Sequence, residues 1–210
     1  DKTIMLCEAV RRQSPGSRIV LLSTVDVYGE CTGPTSEQTV PNPVTMSGRY
    51  SLMAESILED YRNVHTIHST ILRVADAYGP AVRNNSVYNL LFNLLGPQGT
   101  NSSIPYDMTA TRDIIHSADV LQAVRLILQK STESVYTIAT GKSLTLEDLN
   151  SQLCSILETN SKTISGTPQL TTMSQFFDIT KLTSLGFKPQ VPLLEGLRGF
   201  AAWWSGVRAA

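Results

Sequence analysis

Lysine is absent from residue 3 to residue 129, and no Lys/Arg cluster is larger than Arg11-Arg12. With a formal net charge of -1, the chain has no basic stripe to draw in a nucleic-acid backbone. No apolar run reaches the roughly 18 residues that span a bilayer. Residues 1–7 do not pair a charged start with a long apolar stretch, the mark of an export signal. The expected location is intracellular, cytoplasmic or organellar, without membrane insertion. Cys7, Cys31 and Cys154 are an odd number without CxxC spacing, which reads as reduced, buried thiols rather than a disulfide framework or metal site. His65 and His68 are three apart but lack a third ligand, so no metal centre is expected. The 13 glycines include no GxGxxG. The sequons at Asn84 and Asn101 carry no weight without other signs of secretion. There is also no initiator methionine, and the expectation is a chain processed, trimmed or cut from a longer one.

What is present fits a globular core. The 210 residues are 41% apolar, enough to bury one α/β unit with an appended lobe. Residues 4–10 have helical spacing. Residues 18–23 form a short continuous apolar run, the signature of a strand buried on both faces of a parallel sheet. Residues 48–63 place Leu52, Met53, Ile57, Leu58 and Tyr61 at helical spacing against a core. Residues 68–74 give a second buried strand, leading into a loop at Tyr78-Gly79-Pro80. That order predicts a parallel sheet with crossover helices. Farther on, helices are expected at 87–95, at 117–129 with Ser117 as cap, from Thr145 with Asp148 in capping-box spacing, and from Pro192. A short strand is expected at 135–138 and a long polar loop at 96–111.

Four segments, in series over nearly the whole chain, resemble the extended short-chain dehydrogenase/reductase family of the NAD-dependent nucleotide-sugar epimerase and dehydratase type. They are Leu22-Ser23-Thr24-Val25-Asp26-Val27-Tyr28-Gly29; Leu72-Arg73-Val74-Ala75-Asp76-Ala77-Tyr78-Gly79-Pro80, similar to LRxxNxYGP; Arg112-Asp113-Ile114-Ile115-His116-Ser117-Ala118-Asp119-Val120, similar to RDFIHVDDV; and Leu185-Gly186-Phe187-Lys188-Pro189 with Glu195-Gly196-Leu197. The resemblance covers the carboxyl-terminal two thirds of such a protein. It implies a Rossmann-like parallel sheet whose first strands are missing, over residues 1–82, and a small α/β substrate lobe over 83–210 interleaved with the last sheet strand.

The resemblance also assigns roles. Thr24 stands where the family hydrogen-bonds the reacting sugar hydroxyl, although a Thr at a strand end also commonly caps the turn. The family's YxxxK pair takes and relays the hydroxyl proton. Here Ser47-Gly48-Arg49-Tyr50-Ser51-Leu52-Met53-Ala54-Glu55 overlays YGxSKLxAE, which puts Ser47 at the Tyr position and Ser51 at the Lys position. Taking Tyr50 as the base instead puts Ala54 where Lys belongs. Asp26 stands where dehydratases of the family carry an acid. The catalytic candidates are therefore Thr24, Asp26 and Tyr50. Near the substrate diphosphate, Asp76 replaces the usual Asn, and its charge repels phosphate unless neutralised. Arg112 matches the family's diphosphate-binding Arg or, alternatively, pairs with Asp113 or Asp119. His116 and the aromatic set Phe200, Trp203 and Trp204 read as structural.

NAD or NADP enters by resemblance alone, since the glycine-rich turn that holds it lies outside these residues. Three readings follow. The first is a non-catalytic structural or interaction subunit, with another chain or segment covering the open sheet edge; a charged fraction of 17%, below the usual roughly 25%, favours a partly covered surface. The second is an active NAD(P)-dependent epimerase or dehydratase whose cofactor half precedes Asp1. The third is a nucleotide-sugar sensor using Thr24 and Arg112.

Overall fold

The computed structural model describes residues 2–31, 33–83, 85–95, 107–130, 134–159 and 174–209. Residues 96–106 of the predicted long loop, together with Asn84 and Asn101, lie outside the described residues. The chain begins with α1 (Lys2–Gln13), β1 (Ile19–Thr24), a 3-10 turn at Val25–Tyr28, and α2 (Met46–His65). It continues through β2 (Ser69–Val74), β3 (Asp76–Tyr78), α3 (Ser86–Leu95), β4 (Thr111–His116) and α4 (Ser117–Lys130). It closes with β5 (Val135–Ile138), β6 (Ser143–Thr145), α5 (Leu146–Ile156), α6 (Thr180–Ser184) and α7 (Leu193–Ala209).

The strands form two sheets. The first has the order β1-β2-β5 and is wholly parallel, with Leu22 beside Leu72 and Leu72 beside Tyr136. The second has the order β3-β4-β6, parallel then antiparallel. Side chains alternate across a strand, so β2 serves two cores. Ile71 packs with Cys7, Leu58 and Ile67 on the α1/α2 side. Leu72 packs on the other face with Ala123 and Ile127 of α4, Leu182 of α6 and Phe187. This is the α/β parallel architecture expected. A separate core joins Leu90 and Leu91 of α3, Leu149 and Leu153 of α5, and Leu197 and Phe200 of α7 around Tyr78 and Ile114. Trp204 is buried and meets the Tyr88 ring edge-on at 4.4 Å, the packing role read from the sequence. All three cysteines are free and buried.

Several expectations are corrected. Residues 18–23 are not buried on both faces: Leu22 is 65% exposed. Among the described residues β1 has a neighbour on one side only, and α2 covers the opposite face, where Ser23 meets Glu55. Met53 likewise points outward from α2, 57% exposed, because Gly48, Glu55 and Leu58 make up its buried seam. Residues 76–78, read as the way into a loop, form β3. Ser117 does not cap α4; the Nδ1 of His116 accepts from the Ala118 N–H at 3.2 Å. The Thr145 capping box is present, its side chain accepting from the Asp148 N–H at 3.0 Å.

Asp113 locks the two sheets together. It is fully buried and accepts from Thr140 N–H at 2.9 Å, Thr140 Oγ1 at 2.7 Å and Gly141 N–H at 2.8 Å, joining β4 to the turn after β5. Burial nevertheless pushes its carboxyl up to about 6 against these bonds. The folded pKa thus exceeds the unfolded one, so the folded state binds the extra proton and this group favours folding at low pH. Its contribution is lost as pH rises from about 4 to about 6, an effect of about 3 kcal/mol. Denaturant melts of the wild type and Asp113→Asn across that window are expected to show wild type losing stability relative to the variant as pH rises. A constant difference contradicts this.

Candidate functional site

The site gathers just beyond the carboxyl ends of β1 and β2, at the start of β3 and on β4, where an open parallel sheet presents its loops. Thr24 ends β1 and caps the 3-10 turn, its hydroxyl accepting from the Asp26 N–H at 3.2 Å. Of the two roles read for Thr24, this contact is the capping one. Asp26, half-buried in that turn, carries a carboxyl raised above the ordinary carboxylate range by burial, with the Arg112 charge opposing the rise.

Asp76 opens β3, and its carboxylate receives the Ser86 N–H at the start of α3, at 3.3 and 3.2 Å from its two oxygens. An acid there suits the positive end of a helix. Burial raises Asp76 too; Ser86 and then Arg112 pull it down, and Asp26 pushes it up. The fold therefore brings Asp26, Asp76 and Arg112 into one electrostatic cluster, a cation flanked by two partly desolvated acids. The alternative pairings of Arg112 with Asp113 or Asp119 are replaced. Asp113 faces the opposite side of β4 and serves Thr140 and Gly141. Asp119 accepts from the N–H groups of Gln190 at 2.8 Å and Val191 at 3.2 Å, fixing the approach to α7.

The first turns of α2 lie against the 3-10 turn. Gly48 makes this possible, since a Cβ there would stand 2.4 Å from the Asp26 carbonyl oxygen. Gly48→Ala is expected to cost about 1–3 kcal/mol, or roughly 2–12 °C in melting midpoint, because backbone must give way; calorimetry checks it. Ser47 is exposed and Ser51 half-buried on the same helix face. Tyr50 lies off that face, 63% exposed. The structure thus sets Thr24 and Asp26 beside the start of α2 and leaves Tyr50 in solvent.

One network escaped the sequence reading. Four residues beyond Ser51, Glu55 is buried and forms a 2.7 Å ion pair with Arg73 of β2, the two side chains only 4% and 7% exposed. Ser23 Oγ donates to the same carboxylate. The Arg73 guanidinium lies 4.7 Å from the centre of the Tyr28 ring, and the Tyr28 hydroxyl is 2.9 Å from Thr137 Oγ1. An arginine inside an otherwise apolar strand is the signal that finds it, because a buried charge needs a partner.

None of the candidate residues lines the cavity of about 360 Å³ bounded by Tyr78, Ile114, His116 and Leu144. Among the described residues no helix is long and apolar enough to cross a membrane, and no three His, Cys, Asp or Glu side chains converge as a metal site.

Residues 1–139 match the NAD dependent epimerase/dehydratase family. Over 205 residues the chain is 26% identical to a putative UDP-glucose 4-epimerase of Methanocaldococcus jannaschii, covering 96% of this chain and 67% of that protein. Over 198 residues it is 25% identical to the dTDP-D-glucose 4,6-dehydratase of Mus musculus, covering 89% and 55%. The crystal structure of UDP-glucuronic acid 4-epimerase from Bacillus cereus in complex with NAD superposes with a TM-score of 0.83 at 26% identity, over 99% of this chain and 66% of that one. The chain thus spans between about half and two thirds of the length of these proteins, and its fold is Rossmann-like.

Proposed function

Because the chain belongs to the NAD dependent epimerase/dehydratase family, we propose that it retains the family's substrate-side scaffold without its proton-transfer pair and works as a non-catalytic structural or interaction subunit. The observation that carries this reading is the face of α2. Ser47 and Ser51 occupy the positions that the family resemblance gives to Tyr and Lys, and Tyr50, which lies between them in sequence, is in solvent. A serine hydroxyl has no accessible pKa for relaying a sugar proton near neutrality, and no cation sits one turn from it to tune one. The cluster at Arg112 supports the same reading. A diphosphate approaching that guanidinium meets Asp26 and Asp76, and like charges brought together cost several kcal/mol.

The partner belongs to the proposal as well. The β1 edge and the exposed Leu22 call for another chain, or another part of a longer one, to pair with them. The nicotinamide cofactor is proposed only as something such a segment brings, since no described loop forms a phosphate cradle of the GxGxxG kind.

The active-enzyme reading has one specific observation in its favour: burial raises the carboxyl of Asp26, the direction in which a carboxyl gains general-acid character. The test is calorimetric titration of the full-length protein with NAD and NADP, then with UDP- and dTDP-sugars, followed by product analysis. Scaffold function predicts no product at any occupancy. Turnover that Asp26→Asn abolishes establishes the enzyme instead.

A further inference from the structure

The cavity of about 360 Å³ lies at the carboxyl end of β4, between the turn after β5 and the approach to α7. Ile114, Leu144, Val191 and Leu193 give it apolar walls, and none of Asp26, Asp76 and Arg112 lines it. Into this setting Tyr78 projects from the end of β3, His116 from the end of β4 and Asp119 from the first turn of α4. Two further lining residues have already spent their hydroxyl protons, Thr140 on Asp113 and Ser143 on the Gln175 carbonyl.

Tyr78 is 1% exposed, yet its hydroxyl meets no hydrogen-bond partner among the described residues. Burial, with the charge of Asp119 adding to it, pushes that hydroxyl up to about 12, so it stays a donor. It lies against the start of α7, where a Cβ on Gly196 would collide with it and stand 3.1 Å from Val191 Cγ1. A buried hydroxyl without a partner is costly unless something in the cavity accepts from it. His116 adds a second donor. Its Nδ1 accepts from the Ala118 N–H at 3.2 Å, so the proton of the neutral ring sits on Nε2; burial, opposed by the Asp119 charge, lowers its pKa and holds it neutral near pH 7. Asp119 is 2% exposed and takes one backbone N–H on each oxygen, from Gln190 and Val191, which leaves lone pairs for another N–H. A buried carboxylate in the wall opposes an anionic guest, while Lys142 at the rim is exposed, where salt and water screen its charge.

We propose that this cavity binds a small uncharged amide, its carbonyl oxygen accepting from Tyr78 and His116, its N–H turned to Asp119 and its ring against Ile114, Leu144, Val191 and Leu193. The head group decides the fit. An acid of the same shape meets the Asp119 charge, and an amine has no acceptor for the two donors. Because the site joins the ends of β3 and β4 to the starts of α4 and α7, its occupant stabilises the fold by mass action, separately from anything bound at Arg112.

The test is saturation-transfer NMR on the full-length protein with benzamide, benzoate and benzylamine, probes that share a ring and differ in the polar head. Benzamide is expected to give a saturable signal, with benzoate and benzylamine at least about tenfold weaker, the result of an unpaired or repelled head group. That order is read in the wild type and needs no variant. Tyr78→Phe removes the hydroxyl alone and is expected to weaken benzamide about tenfold, the worth of one hydrogen bond. The same change is expected to raise the melting midpoint of the free protein by a few degrees, since a buried donor without a partner is gone. Arg112→Gln is expected to leave benzamide binding unchanged. No saturable benzamide signal, benzoate or benzylamine binding as tightly as benzamide, undiminished affinity in Tyr78→Phe, or loss of binding in Arg112→Gln overturns the proposal.

Discussion

Glu55→Ala is expected to lower the unfolding free energy by about 3–5 kcal/mol, the usual cost of stranding one member of a buried ion pair. For a chain of this length that corresponds to a fall of roughly 6–20 °C in melting midpoint. Arg73 is 6% exposed in the middle strand of the main sheet. Its Nη1 already has no hydrogen-bond partner, so the carboxylate and the Tyr28 ring are what offset its desolvation. Removing the carboxylate leaves a cation with ring contact alone and frees the Ser23 hydroxyl as well. Replacing both members together, as Glu55→Leu with Arg73→Met, is expected to cost far less, since apolar substitutes for a buried pair are often tolerated. Urea unfolding with an unchanged slope reads both numbers. A Glu55→Ala loss below about 1 kcal/mol, the value of an exposed pair, shows that water reaches the network.

Asp76→Asn is expected to strengthen nucleotide-sugar binding by about ten- to a hundredfold, or roughly 1.4–3 kcal/mol. The change removes one of two acids flanking Arg112 and restores the residue that the family resemblance places there. It costs the fold little, because an Asn Oδ1 can still accept the Ser86 N–H and Asn caps helices as well as Asp. The raised carboxyl of Asp76 adds a pH signature. Because burial holds its folded pKa above the unfolded value, acidification neutralises it in the folded protein first. The wild-type affinity should therefore approach that of the variant as pH falls and diverge from it as pH rises. Calorimetric titration with UDP-glucose at two pH values tests both parts. Equal affinities at neutral pH show that Asp76 does not face the diphosphate.

How much of this could be read from the sequence differs by element. The strands at 18–23, 68–74 and 135–138 and the long helices announce themselves through apolar runs and periods, because burial demands those patterns. The three-residue strands β3 and β6 do not, since they are too short to carry a period and exist through pairing with β4. The exposure of Leu22 and Met53 was also invisible, because it depends on which face a neighbouring element covers.

At the site, the sequence supplied Thr24, Asp26, Asp76 and Arg112 but not their relation. Proximity in sequence favoured Asp113 or Asp119 as the partner of Arg112. Strand alternation turns Asp113 to the other face, and α4 aims Asp119 at the backbone of 190 and 191. The acids that feel Arg112 come from two other segments, each about 36 residues or more away in sequence. Glu55 and Arg73 were inside quoted motifs, but only the crossing of α2 over β2 shows them as a pair.

On the proposal above, Ser47 and Ser51 leave this scaffold without a proton-transfer pair. The most direct measurement incubates the full-length protein at high concentration with NAD and UDP-glucose or dTDP-glucose, following the reduced-nicotinamide absorbance band and separating the sugars by chromatography. The expected result is no sugar-dependent absorbance and an unchanged sugar nucleotide, even where calorimetry shows the ligands bound. Reduced nicotinamide appearing with the sugar, or an epimerised or dehydrated product accumulating over many turnovers, contradicts it.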